Sequence, residues 1–148
     1  MADAPTPAPR TPWHLWVVGV ISLLWDLTGA FDLVMTQTRN AAYVKNFTPA
    51  QLDFFYDIPG WAVAAWGVAI WGGVFGSLLL LARKGLAVPF FLTSFIGMVI
   101  TTIYNFGLSD GLKIMGGVGA LIFSCVIFGV GFLVWHYARA LRRRGVLK

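Results

Sequence analysis

A chain of 148 residues that is 58% hydrophobic and only 11% charged is too apolar for a water-soluble domain, which carries about 25% charged residues. The composition excludes a nucleic-acid-binding module despite the net charge of +5. Five of the eleven cations are Arg139, Arg142, Arg143, Arg144 and Lys148, and a basic cluster flanking an apolar segment is a signature of membrane topology.

The first twelve residues, "MADAPTPAPRTP", are rich in Ala and Pro. Proline fixes φ and removes a donor, so 1–12 is expected to be a disordered leader. Four apolar segments follow at about 13–35, 61–82, 86–108 and 114–137, each long enough for the ~20 helical residues that cross a hydrocarbon core. The joins after the second and third are too short for anything but antiparallel neighbours. The expected fold class is therefore an all-α membrane protein, an antiparallel bundle of four transmembrane helices over 13–138, with a basic tail at 139–148. Lys and Arg concentrate in the tail and at Arg83 and Lys84, which places both termini in the cytoplasm under the positive-inside rule. A signal peptide ending near Thr28-Gly29-Ala30 is the competing reading, with Asp26 interrupting its apolar region.

Between the first two spans, "FTPAQLDFFYDIPGW" sets Thr48 as N-cap, Pro49 at the first helical position and Gln51 where a capping box needs it. A short amphipathic helix is expected there, with Leu52, Phe55 and Tyr56 on one side, lidding the periplasmic end. In the second span Gly72 and Gly76, and Gly73 and Ser77, recur at four-residue spacing. Small residues so placed let helices approach closely, within the bundle or across a homodimer.

Chemistry concentrates in "WDLTGAFD". Rising 1.5 Å per residue from Trp13, Asp26 lies about 20 Å and Asp32 about 28 Å into the first span. A carboxylate near mid-membrane costs about 2.5–3.5 kcal/mol on insertion scales, so Asp26 requires a polar neighbour, whereas Asp32 lies at the rim. On the third span Ser94, Gly97, Thr101 and Asn105 form a polar and small stripe, with Thr102 and Tyr104 beside it. Counting from Leu86 brings Thr101 to the depth of Asp26, and Tyr104 and Asn105 to that of Asp32. Asp26, Asp32, Thr101, Thr102, Tyr104 and Asn105 are therefore the candidate ligand-binding residues, serving a small solute, an ion or a proton, or only tying helices together.

His14 and His136 lie at the same end of the first and fourth spans, each directly after a Trp, and imidazole is a common haem ligand. A haem- or quinone-handling protein is the weakest alternative. Cys125, alone in an apolar run, reads as a packing residue. No metal-ligand spacing or hydrolytic constellation is present, and "GGVG" at 116–119, placed inside the fourth span, lacks the Lys-Ser/Thr of a phosphate loop. Neither enzymatic activity nor a cofactor or metal is expected.

The stretches "WHLWVVGVISLLWDLTGAFDLVMTQTRNAAY", "FTPAQLDFFYDIPGW" and "WGVAIWGGVFGSLLLL" resemble a group of small four-span proteobacterial inner-membrane proteins often labelled putative sugar transporters. The resemblance covers nearly all the chain after residue 12 and implies location and topology more firmly than substrate. In that group Asn often stands at the position of Asp26, so the chain departs from the pattern there. Size and the lack of enzymatic motifs favour an accessory or scaffold component of a membrane complex, with a membrane-protein partner or a homo-oligomer. A small-solute, sugar-like transporter or binding protein is the alternative.

Overall fold

The computed structural model describes residues 9–148; most of the expected leader lies outside the described residues. Seven α-helices and no strand occur among them: α1 (Trp13–Gln37), α2 (Ala41–Val44), α3 (Pro49–Tyr56), α4 (Gly60–Leu81), α5 (Ala87–Ile103), α6 (Gly111–Ile114) and α7 (Val118–Arg143). A π-helical turn, Tyr104–Leu108, extends α5. Four helices, α1, α4, α5 with its π turn, and α7, are long and apolar enough to cross a membrane. The chain is an all-α four-helix bundle in contact with lipid.

Helix α4 is the centre of the bundle because its small residues admit a neighbour on each side. Added Cβ atoms at Gly72 and Gly76 would meet Ser94 at 3.1 Å and Phe91 at 2.8 Å, and one at Gly97 would meet the Ala65 carbonyl oxygen at 2.8 Å, so α4 and α5 touch almost backbone to backbone. Toward α1 the close positions are Gly73 against Asp26, Gly29 against Ile70 and Gly19 against Leu81. Without a hydrophobic driving force in lipid, such close packing is a principal source of helix association. Helix α7 packs mainly on α5, through Phe128 and Phe132 on Phe95 and Gly131 on Met98.

One end of the bundle carries the tightest core: Leu15, Leu80, Ala87, Phe91, Ala138 and Leu141 close over Val146 and Leu147. The residues read as a basic tail are not free of the bundle. Helix α7 continues to Arg143, then Gly145, at φ 71°, reverses the chain. The Gly145 and Val146 N–H groups donate to the Arg142 and Leu141 carbonyls, the double closure of a Schellman end. The main chain of Lys148 then pairs with the α4–α5 turn, its N–H donating to Arg83 O at 2.9 Å and its oxygen accepting from Gly85 N–H at 2.6 Å.

The opposite end is lidded. Helix α3 has the expected capping box, with Thr48 Oγ1 accepting from Gln51 N–H and the Gln51 side chain accepting from Thr48 N–H. Its most buried residue is Phe54 rather than Leu52, Phe55 or Tyr56, which are only half-buried. Phe54 reaches Gly111 at the start of α6, where a Cβ would come within 3.0 Å of the ring. The fourth span also begins later than the hydropathy suggests. Gly116 and Gly117, at φ 109° and 62°, break the helix between α6 and α7, so the first two glycines of "GGVG" form a turn of left-handed backbone at the span's threshold, while Gly119 already belongs to α7.

Candidate functional site

Asp26 is held by α4. Ser77 Oγ donates to Asp26 Oδ2 at 2.8 Å, and a Cβ at Gly73 would lie 2.6 Å from Asp26 Oδ1. The absence of a side chain at Gly73 is thus what lets the carboxylate lie flat against α4, and Ser77, one turn on, supplies the donor. Ser77 is fully buried. The four-residue spacing of Gly73 and Ser77 was visible in the sequence; their relation to a carboxylate on another helix was not.

Beside Asp26 is a cavity of about 50 Å³ between α1, α4, α5 and α7, whose walls include Ser22, Gly73, Ser94, Phe95, Met98 and Gly131. Ser94 spends its own hydroxyl on the Ala69 carbonyl of α4. Apart from Ser22 and Trp25 the remaining wall is apolar, and Asp26 is the ionisable side chain in it. The volume admits water or a small ion. It is far below the roughly 300–1,000 Å³ of pockets that enclose organic ligands.

The six residues singled out from the sequence divide among three places. Asp26 faces α4 as described. Asp32, one and a half turns on, accepts a hydrogen bond from the Tyr43 hydroxyl of α2, and this bond, with lesser burial, raises the Tyr43 pKa to about 12. Thr101 turns its hydroxyl back onto Gly97 O of its own helix at 2.9 Å, and Thr102 next to it is half-buried. Tyr104 meets Trp61 edge-on, with centroids 5.5 Å apart. Asn105 lies in the π turn with its Oδ1 buried and without a partner.

The expected match of depth between Asp26 and Thr101 fails for a geometric reason. Gly73 faces Asp26, and its neighbour Gly72 faces Ser94, so Ser94 is the α5 residue at the level of Asp26. Thr101 lies seven residues beyond, about 10 Å further toward the lidded end. Equal depth at equal residue counts requires α1 and α5 to begin at one level. Instead, α1 reaches beyond the start of α5, and Thr11, just before α1, takes a hydrogen bond from Arg83 in the turn that precedes α5.

At the other end His14 Nδ1 is hydrogen-bonded to the Tyr137 hydroxyl, while His136 stacks on Phe132 with centroids 5.7 Å apart. The two imidazoles thus engage different aromatic partners. Among the described residues no group of three or more His, Cys, Asp or Glu side chains is placed to hold a metal. Cys125 is exposed on α7, where the sequence suggested a packing residue. Comparison with known families, curated proteins and solved structures finds no match to this chain.

Proposed function

We propose that the chain is an accessory or scaffold component of a membrane complex, docking on a larger membrane protein through α7, in a bacterial inner membrane with both termini cytoplasmic. The observation that carries this reading is the uncovered surface of α7. Val118, Ile122, Phe123, Val126 and Leu133 are each more than half exposed, and Cβ atoms at Gly119 and Gly129 would meet nothing within 4 Å. Lipid covers Phe, Val and Leu without penalty, but helix glycines are characteristic of surfaces where another backbone approaches. The small volume beside Asp26 supports the same reading, because it has no room for a sugar. Purification in mild detergent tests it: a stoichiometric partner is expected, and a lone monomer whose thermal stability rises with an added sugar contradicts it.

A second reading rests on Asp26 itself. A mid-membrane carboxylate with, among the described residues, a single hydroxyl donor and no ion-paired cation is a default candidate for handling a proton or small cation. Under this reading Asp26→Asn abolishes ion- or proton-dependent behaviour in liposomes, and wild-type behaviour of that variant removes the idea.

A further inference from the structure

The strongest unassigned feature lies at the end opposite the lid. The α4–α5 turn, the residues just before α1 and the returning chain after α7 enclose a cavity of about 170 Å³, more than three times the Asp26 cavity. Its walls include Thr11, Arg83, Lys84, Gly145 and Lys148. Arg142 lies alongside: a Cβ at Gly85 would be 3.4 Å from its Nε. Arg83, Lys84 and Lys148 thus line one small recess, with Arg142 alongside.

No Asp or Glu side chain opposes them among the described residues, although the Lys148 main-chain oxygen lies beside them, accepting from Gly85 N–H. Asp26 and Asp32 are inside α1, Asp53, Asp57 and Asp110 belong to the lidded end, Asp3 lies outside the described residues, and the chain has no Glu. The single ion pair among the described residues, Lys113 with Asp110 at 3.4 Å, is at the lidded end too. Arg83 is fixed rather than loose: its Nη1 donates to Thr11 Oγ1 at 3.1 Å, its carbonyl accepts from Lys148 N–H, and its φ of 57° holds it in left-handed backbone. That conformation is unfavourable for a residue with a Cβ, yet it sets the guanidinium at the recess, where Thr11 is its one side-chain acceptor among the described residues.

We propose that this recess binds a phosphate group, with the phosphodiester of an anionic phospholipid as its source. Arg83 offers paired donors suited to phosphate oxygens, Lys84 adds charge, and the Thr11 hydroxyl, already accepting from Arg83, keeps its own proton to donate. The site lies at the end of the apolar spans, where lipid phosphates border the bilayer, and basic pockets between transmembrane helices recognise such headgroups.

Native mass spectrometry of the full chain, released from neutral detergent with phosphatidylglycerol or phosphatidylcholine, tests this. One phosphatidylglycerol is expected to be retained in preference to phosphatidylcholine, about fivefold more weakly in Lys84→Gln and unchanged in Arg139→Gln, which removes an equal charge outside the recess. Arg83→Gly serves where folding is in question, because it relieves the left-handed strain while deleting the guanidinium; it too should lose the lipid. Release of that lipid by glycerol 3-phosphate, or binding of glycerol 3-phosphate alone with the same dependence on the variants, supports a phosphate site and assigns it to a soluble source. Equal retention of both lipids, or equal loss in Arg139→Gln, overturns the proposal in favour of diffuse surface charge.

Discussion

Asp26 on α1 and Gly73 on α4 are fitted to each other: the carboxylate occupies the space a side chain at Gly73 would need, and Ser77, one turn further, donates to it at 2.8 Å. Gly73→Ala forces the two helices apart or the carboxylate out of place. Overpacking of this kind costs about 1–3 kcal/mol, and a lowered unfolding temperature in detergent is the expected result, with Gly67→Ala, at an open position, as the unaffected control.

Removing the donor separates hydrogen bonding from packing. Ser77→Ala removes the donor from a half-buried carboxylate, at a cost of about 1 kcal/mol. Asp26→Asn keeps an oxygen for Ser77 while deleting the charge, so its thermal stability should equal or exceed that of the wild type. A large loss of stability in Asp26→Asn would mean that the charge itself holds α1 to α4.

Tyr43 gives the fold a dependence on alkaline pH. Its bond to the Asp32 carboxylate raises the hydroxyl pKa from 10.0 to about 12, so the protonated form is favoured in the folded state. The associated stability is fully present below pH 10 and is lost as pH rises toward 12. Unfolding temperatures measured across that window should fall more steeply for the wild type than for Tyr43→Phe, and parallel curves would contradict the coupling.

The lid depends on a local device. Thr48→Ala removes the capping-box acceptor of α3 and should cost about 1 kcal/mol. Amide exchange in 49–56 should accelerate, while exchange in α4 and α5 stays unchanged.

Much of the fold was legible because apolar length and turn chemistry are local properties. The four spans, the Thr48–Gln51 box and the role of small residues in α4 follow from composition and spacing alone. The site was less legible, because which face of α1 meets α4, and at what level α5 starts, are decided by packing. Helix α5 begins above Val146 and Leu147, which fill the space beneath it, and nothing in the hydropathy of 86–108 records that offset. The same offset brings Ser94 to the level of Asp26 and leaves Thr101 about 10 Å away. The break at Gly116 and Gly117 shows the converse: an apolar stretch read as continuous helix is divided by two glycines in left-handed backbone.

The proposed role of α7 as a docking helix is tested most directly by site-specific photo-crosslinking in native membranes. Probes at Ile122 and Phe123 on α7 are compared with one at Ile21 on α1, all more than half exposed. A discrete crosslinked protein partner from the α7 positions, absent from Ile21, is the predicted result. Lipid adducts alone at all three positions would contradict the proposal.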